Sequence, residues 1–268
     1  MERANSGNVR IAYEDAGQGE PACVVIHGPI GNRLQLATLT EHLAADHRVI
    51  APDLRGTGES DKPARGYRVA DFAEDVLAVC RQAGIRRAVL IGHSAGAAIA
   101  LQIAAREPSL VAGIVMLDGA ILFPQELRGQ LLAGPIRGFE GAGWLEALSG
   151  YVAARQFDPE DPPDVRARVM AGLPALAPAL AGESMRDAMS QDFSDLVAAG
   201  TYPLMYIHAR VPADLTRLKS LRPDATITSV AGSGHYLTMI VPDQVNAMVD
   251  RFLATAVSRT SDAHTARR

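Results

Sequence analysis

The chain has 268 residues, of which 48% are apolar and 21% charged, and its formal net charge is −4. This length fits one large domain or one domain with an insertion, and the scattered, balanced charges exclude a nucleic-acid footprint. No apolar run approaches the ~18 residues of a membrane span. Cys23 and Cys80 are too few for a disulfide framework or a metal-ligand cluster. We therefore expect a cytoplasmic monomer or homodimer without metal, cofactor, nucleic acid or membrane partner.

The first half of the chain alternates short β-rich runs with longer helical runs. Residues 110–117 form a nearly continuous apolar run of the kind found in buried parallel sheets. The predicted strands are residues 9–13, 22–26, 47–51, 88–91 and 110–117, and the predicted helices are 33–45, 69–83 and 95–106.

The alternation stops between residues 124 and 196, where helical stretches are interrupted by Gly and Pro and no strand is predicted. It resumes with strands 204–208 and 226–230 and helices 212–221 and 240–254. This pattern predicts an α/β fold with a doubly wound, mostly parallel sheet and a helical lid. We expect residues 1–120 and 200–256 to form the core, 121–199 the cap, and 257–268 a disordered tail.

A nucleophile motif lies between a predicted strand and a predicted helix. Residues 92–96 read Gly-His-Ser-Ala-Gly, which matches G-x-S-x-G in the strand–turn–helix context that the motif requires. The flanking Gly92 and Gly96 are small enough for strand and helix to approach closely. Ser94 is therefore the predicted nucleophile, and the N–H of Ala95 at the helix N-terminus is a predicted oxyanion donor.

A serine hydroxyl needs a general base to become a nucleophile. Among the seven histidines, His235 follows the last predicted strand and precedes the last helix, at the same sheet edge as Ser94. Because a loop histidine at this edge can reach the serine, His235 is the predicted base.

In combination these motifs resemble the α/β-hydrolase superfamily over nearly the whole chain, about residues 9–256. The resemblance implies the α/β-hydrolase fold and hydrolytic chemistry, but it does not define the substrate, because the superfamily contains many activities. It rests on His27-Gly28, on DLRGTGES at residues 53–60, on GHSAG at 92–96 and on GSGH ending at His235.

The carboxylate that orients the base has two candidates. Most of the superfamily carries it after the strand here predicted at 204–208, yet no acid follows that strand until Asp214. Asp118, which follows strand 110–117, resembles the acid of haloalkane dehalogenases and zearalenone-type lactonases. Asp118 is favoured because one buried, orienting carboxylate is needed and the usual position is vacant. Asp214, in the first turn of a helix, is the alternative.

The turn after the second predicted strand, IHGPIGN, presents a difficulty for the oxyanion site. Pro29 occupies the position whose N–H relatives generally use, and proline has no N–H. Either Ile30 or another group donates instead, or Ala95 acts with less help. Losing one donor typically costs ~2.7–4 kcal/mol of transition-state stabilisation.

The predicted activity is cofactor-free hydrolysis of a carboxylic ester or lactone through an acyl-enzyme. The helical insertion implies a covered pocket for a medium-sized, mostly apolar small-molecule substrate. Two alternatives remain: a C–C bond hydrolase or lyase on the same fold, and a small-molecule receptor with a vestigial triad. The candidates for lining the pocket from the lid are Trp144, Tyr151, Met185 and Met189.

Overall fold

Eight strands form one mixed sheet in the computed structural model of the chain, which describes residues 1–257. The strands are β1 Glu2–Ser6, β2 Val9–Ala16, β3 Ala22–Ile26, β4 Val49–Pro52, β5 Ala88–His93, β6 Val111–Leu117, β7 Leu204–His208 and β8 Thr226–Ser229. Their order across the sheet is β1-β2-β4-β3-β5-β6-β7-β8. β2 pairs antiparallel with both β1 and β4, and all other neighbouring strands are parallel.

The first strand, Glu2–Ser6, was not predicted from the sequence. It forms an antiparallel hairpin with β2 through a turn in which Gly7 has φ +57°. Ala4 and Ser6 are buried while the other residues of the strand are exposed. This edge strand was overlooked because its polar composition lacks the apolar alternation by which strands are recognised.

The core helices follow the predictions with three differences at their ends. The segment predicted as one helix at 33–45 is a 3₁₀ turn, Arg33–Leu36, followed by a short helix, Ala37–Leu43. The helix predicted at 212–221 begins only at Leu215. The helix predicted at 240–254 is divided before Pro242, because the residue preceding a proline is disfavoured in helical geometry. The core helices are α1 Ala37–Leu43, α2 Val69–Gln82, α3 Gly96–Arg106, α10 Leu215–Leu221, α11 Leu237–Ile240 and α12 Pro242–Phe252.

Six helices lie between β6 and β7, and no strand interrupts them. We call residues 121–199 the helical insertion. Its helices are α4 Gln125–Ala133, α5 Pro135–Gly138, α6 Trp144–Arg155, α7 Pro163–Gly172, α8 Leu180–Ser190 and α9 Ser194–Ala199.

Alternate residues of the central strands enter two apolar clusters, one on each face of the sheet. Leu90 and Ile114 belong to the cluster that includes α2, α3 and the helical insertion. Val89 and Val115 belong to the cluster that includes α1 and α12. The sheet is thus buried on both faces, as parallel sheets require, and a site open to solvent can lie where the strands end.

Residues 1–257 contain neither a candidate membrane-spanning helix nor a candidate metal-binding cluster. None of their helices combines the length and the apolar character that crossing a bilayer requires. No three or more His, Cys, Asp or Glu side chains in this part of the chain lie close enough together to hold a metal ion. The predicted tail lies outside these residues, except for residue 257.

Candidate active site

Ser94 sits in a sharp turn between β5 and α3, with φ +56°. This left-handed conformation is unfavourable for a residue with a side chain, and the surroundings hold it in place. The Ser94 N–H donates to the Leu117 carbonyl at 3.0 Å, and the Ser94 carbonyl accepts from the Ala120 N–H at 2.9 Å. A Cβ at Gly92 would overlap the Gly96 backbone, and one at Gly96 would overlap the Ile26 carbonyl. The packing predicted for the two glycines is therefore present.

Asp118 directly follows β6 and also has a positive φ, +44°. Its side chain is fully buried and accepts a hydrogen bond from His235 Nδ1 at 2.7 Å. The loop after β7 surrounds the same carboxylate: the N–H groups of Ala209, Arg210 and Val211 donate to Asp118 Oδ1 at 2.9, 2.8 and 2.9 Å. The loop that in most relatives would carry the acid here supplies backbone donors to Asp118.

The environment of Asp118 favours its ionised form. Burial alone would raise the pKa of the carboxyl group, because desolvation penalises charge. The hydrogen bond and charge of His235, together with the donors of Ala209 and Val211, outweigh burial and lower the pKa of Asp118 to about 2. At neutral pH this group is therefore a carboxylate that can stabilise an adjacent imidazolium.

Asp214, the alternative acid, has a different position. It is the N-cap of α10, where its Oδ1 accepts a hydrogen bond from the Arg217 N–H at 2.8 Å. This is the ordinary structural role of an aspartate at the start of a helix. The structure thus brings Asp118, and not Asp214, against His235.

The loop that carries His235 is held by the helical insertion. The His235 N–H donates to the Gln156 carbonyl at 2.9 Å. The Gly234 N–H donates to Oδ1 of Asp161 at 2.9 Å, and Oδ2 of Asp161 accepts from the Asp158 N–H at 2.8 Å. Asp161 is only 4% exposed. A Cβ at Gly234 would overlap the Asp161 carboxylate, so the close approach needs glycine.

His93, next to the serine, supports His235 from the other side. Its Nε2 donates to the His235 carbonyl at 2.8 Å, and the two ring centroids lie 4.5 Å apart. Burial and the neighbouring His235 lower the pKa of His93 to about 3. His93 therefore stays neutral at physiological pH and does not repel a proton on His235 strongly.

The IHGPIGN turn is fixed by a network around His27 and Asp53. His27 Nε2 accepts from the Leu54 N–H at 3.0 Å, and its Nδ1 donates to the Gly28 carbonyl at 2.7 Å. Burial lowers the pKa of His27, which keeps the ring neutral. Asp53 accepts from the Arg33 N–H at 3.0 Å and pairs with the Arg33 guanidinium at 2.7 Å. The turn is therefore tied both to the loop after β4 and to the following helix.

The three residues predicted around the oxyanion lie together. Pro29, Ile30 and Ala95 all line a small cavity of about 40 Å³ that also contains Ser94 and His235. Within residues 1–257, the backbone N–H groups of Ile30 and Ala95 donate to no other group. The Ser94 hydroxyl is likewise without a hydrogen bond in that part of the chain, so Oγ must turn toward Nε2 of His235 to lose its proton. Such contacts are often long before substrate binds.

A larger cavity of about 280 Å³ adjoins the small one and shares Ser94 and His235 with it. Of the four lid candidates, Tyr151, Met185 and Met189 line it. Trp144 lines neither cavity that contains Ser94 and instead packs against the apolar core. The remaining lining residues of the larger cavity are Ala120, Phe123, Leu127, Leu131, Arg155, Gln156, Arg210, Val211 and Pro212.

The family described as "alpha/beta hydrolase fold" matches residues 21–154 of the chain, which include the turn after β3, Ser94 and Asp118. The chain belongs to the α/β-hydrolase family. Its sheet, its β5–α3 turn and its hydrolase relatives together make it a hydrolase, as the sequence predicted.

Several α/β hydrolases resemble the chain over almost their whole length. The 2-(acetamidomethylene)succinate hydrolase of Mesorhizobium japonicum is 29% identical over 264 residues, covering 94% of each chain. A crystal structure of E-2-(acetamidomethylene)succinate hydrolase superposes with TM-score 0.78 at 27% identity, covering 95% of this chain and 98% of that one. An esterase from Thermogutta terrifontis has the same fold, with TM-score 0.82 at 20% identity and coverage of 96% and 99%.

The sequence did not identify the residues of the helical insertion that contact the His235 loop of this hydrolase. Gln156 and Asp161 lie between α6 and α7, in a segment with several acidic residues, and only the burial of Asp161 distinguishes it. Arg155 and Gln35 were also not identified, although both line cavities near the serine. No spacing rule marks these positions, because their neighbours come from distant parts of the chain.

Proposed function

We propose that this hydrolase cleaves a carboxylic ester or lactone through an acyl-enzyme on Ser94. The observation that carries the proposal is the 2.7 Å hydrogen bond between His235 Nδ1 and Asp118, beside a cavity that also contains Ser94. Because Nδ1 is bonded to Asp118, Nε2 of His235 is the ring nitrogen that can accept the proton of Ser94. A carboxylate that is ionised, a histidine with a fixed tautomer and a free serine hydroxyl are the parts that acyl transfer requires.

The proposed reaction has two halves. Ser94 Oγ attacks the substrate carbonyl while His235 Nε2 takes its proton, and Asp118 stabilises the imidazolium that forms. The N–H groups of Ala95 and Ile30 stabilise the oxyanion. The N–H of Ile30 thus replaces the donor that Pro29 lacks. His235 then protonates the leaving oxygen. In the second half His235 activates a water molecule, which releases the acid from Ser94.

A fluorophosphonate probe with mass spectrometry tests the nucleophile directly. We expect one adduct on Ser94, no adduct in the Ser94→Ala protein, and loss of nearly all p-nitrophenyl acetate turnover in that variant. Ser184→Ala is the matched control, because Ser184 is the other serine lining the small cavity, and this variant should still be labelled. Wild-type turnover by Ser94→Ala would contradict the proposal. Absent ester and lactone turnover, together with cleavage of a 1,3-dicarbonyl, would favour the C–C hydrolase alternative.

A second candidate function is hydrolysis of an N-acyl amide that carries a carboxylate. The relative named 2-(acetamidomethylene)succinate hydrolase acts, by its name, on a dicarboxylate with an acetamido group. Arg155 and Arg210 both line the larger cavity of this chain, and no Asp or Glu lines it. Arg210 pairs with Asp158, whereas the Arg155 guanidinium has no hydrogen-bond partner within residues 1–257. Arg155 is exposed, so its unpaired guanidinium can meet an anionic ligand that enters the cavity.

Paired substrates separate the two candidates. If the amide candidate is right, acetamido-substituted dicarboxylates should be cleaved faster than p-nitrophenyl acetate, and Arg155→Gln should lower their kcat/KM by roughly 10–100-fold, the usual loss for a hydrogen bond to a charged group. Arg81→Gln, a variant at an exposed arginine in α2, is the control. Equal loss with charged and uncharged substrates would show that Arg155 does not recognise an anion.

The cytoplasmic location and the monomer or homodimer state of the protein stay predictions.

A further inference from the structure

A second large cavity lies on the other side of the IHGPIGN turn. Its volume is about 350 Å³, and neither Ser94 nor His235 lines it. Its walls come from the turn and the 3₁₀ segment after it, from α7 and the residues that follow, and from α11. The lining residues are Gly31, Asn32, Leu34, Gln35, Arg168, Val169, Gly172, Leu173, Leu176 and Met239.

The walls of this second cavity are mostly apolar. Val169, Leu173 and Leu176 are buried, whereas Leu34 is 61% exposed, an unusual degree for a large apolar side chain in residues 1–257. The one charged residue, Arg168, pairs with Asp164 at the surface. A cavity with apolar walls and an exposed leucine gains free energy when an apolar group displaces its water.

Gln35 separates the second cavity from the catalytic one. It lines both the small cavity around Ser94 and the second cavity, and it is the residue that the two share. Its side-chain amide lies directly over Gly31, where a Cβ would overlap it. The amide makes no hydrogen bond within residues 1–257, so no polar contact has to break when this side chain changes rotamer. Moving the amide would join the second cavity to the space above Ser94.

The position of His235 decides which part of a substrate each cavity can take. In acyl transfer the base must later protonate the leaving group, so the leaving group lies on the side of the histidine. His235 lines the larger catalytic cavity but not the second one. The turn that carries the oxyanion residues Pro29 and Ile30 continues into Gly31 and Gln35 of the second cavity. The acyl group therefore extends toward Gln35.

We propose that the second cavity is an acyl-chain subsite, which takes an unbranched apolar acyl group past Gln35 while the leaving group occupies the cavity beside His235. The inference rests on the proposed acyl-enzyme on Ser94. It adds a specificity for the acyl side that the catalytic residues themselves do not define, because they contact only the reacting atoms.

Filling the cavity tests the subsite. Gly172 lines it, lies in α7 and has open space where a Cβ would be, so Gly172→Phe should place a ring in the cavity without backbone strain. Gly150→Phe is the matched control: Gly150 also has open space at its Cβ position and is exposed in α6. Both proteins are compared with wild type in kcat/KM for p-nitrophenyl acetate and p-nitrophenyl octanoate. Thermal melting checks that each variant folds.

We expect the wild type to prefer the octanoyl ester by about tenfold or more, because several methylene groups become buried. Gly172→Phe should lower this octanoyl-to-acetyl ratio by about tenfold, and Gly150→Phe should keep it. Gln35→Ala, which removes the separating side chain, should raise the ratio, and this result does not depend on whether Gly172→Phe folds. An unchanged ratio in both Gly172→Phe and Gln35→Ala would overturn the subsite.

A second ester series separates the acyl assignment from the alcohol assignment. With ethyl and octyl acetates, the length of the alcohol varies instead, and we expect Gly172→Phe to leave the octyl-to-ethyl ratio at the wild-type value. A change in this ratio alone would mean that the cavity holds the leaving group and would overturn the acyl assignment. If wild-type protein hydrolyses no ester and Ser94 takes no fluorophosphonate, the proposed function itself fails; normal labelling with no acyl-length dependence rejects only the subsite.

Discussion

The sheet and the helical insertion hold different parts of the site in different ways. Ser94 and Asp118 lie at the ends of neighbouring central strands, both with positive φ, and backbone hydrogen bonds join their turns. His235 follows the last strand, but its loop is held by Gln156 and Asp161 of the insertion. The positions of Ser94 and Asp118 therefore depend on the core, whereas the position of His235 depends also on the helical insertion. A movement of the insertion would therefore change the position of His235 more than that of Ser94.

The sheet and the helical insertion should also respond differently to substitution. Contacts in the core fix the backbone, so changing them is expected to alter the folded state as a whole. Between the insertion and the His235 loop, by contrast, the contact of Asp161 with the Gly234 N–H depends on a single side chain. Substituting Asp161 should therefore change catalysis more than global stability.

The largest effect is expected from the acid that the sheet holds. Asp118→Asn should lower kcat by about 10⁴-fold, as in the serine-protease triad where the same change favours the wrong histidine tautomer. Asp214→Asn is the control, because asparagine also caps helices, and its kcat should stay within about threefold of wild type. Steady-state kinetics on one ester measures both. A large loss in Asp214→Asn with a small one in Asp118→Asn would exchange their roles.

A smaller effect is expected from the contact that the insertion makes with the His235 loop. Asp161→Ala removes the acceptor for the Gly234 N–H, and kcat should fall by about 10–100-fold because the base is displaced. KM should change less than kcat, and Asp161→Asn, which keeps an acceptor oxygen, should recover part of the rate.

Asp164→Ala, a change at an exposed aspartate in α7, serves as the control for Asp161. A pH–rate profile provides the second readout: if the base is mispositioned, the acid limb should move in Asp161→Ala, whereas a purely structural role would lower the melting temperature and leave the profile in place. Wild-type kcat in Asp161→Ala would show that the insertion does not position the base.

A still smaller effect is expected at Pro29. Because Ile30 lines the small cavity and its N–H is unpaired within residues 1–257, we expect this N–H to serve the oxyanion, so a new N–H at position 29 should not be needed. Pro29→Ala should therefore leave kcat within about threefold of wild type or lower it through a more flexible turn. A clear rise in kcat would show instead that the missing donor limits the enzyme.

The smallest effect concerns the two thiols in the core. Burial raises the pKa of both Cys23 and Cys80 to about 12. Because only the thiolate reacts, iodoacetamide at pH 8 should leave both cysteines of the native protein unmodified, and ester hydrolysis should persist. Mass spectrometry should find two adducts after denaturation in guanidinium. Rapid labelling of the native protein would show that the core opens far more readily than its packing implies.

The local parts of the fold and of the site could be predicted from the sequence. The G-x-S-x-G motif, the apolar strands and the glycine-rich turns each express a constraint between residues that are neighbours in the chain. The β7 strand was predicted with its observed ends, Leu204–His208. The polar β1 strand and the break at Pro242 were not predicted, because a partner strand and the geometry before a proline decided them.

The sequence by itself determined the α/β-hydrolase fold and the candidates Ser94, His235 and Asp118, since motif spacing and the order of strands identify them. Only the tertiary structure decided which acid lies against His235, because that contact joins residues 117 positions apart. It also decided that Asp161 holds the His235 loop and that Gln35 separates two cavities. Those arrangements arise from packing between distant segments, and no periodicity in the chain encodes them. The IHGPIGN turn shows both cases: the sequence revealed the missing N–H of Pro29, and the structure placed Ile30, whose N–H is unpaired within residues 1–257, in the lining of the cavity that contains Ser94.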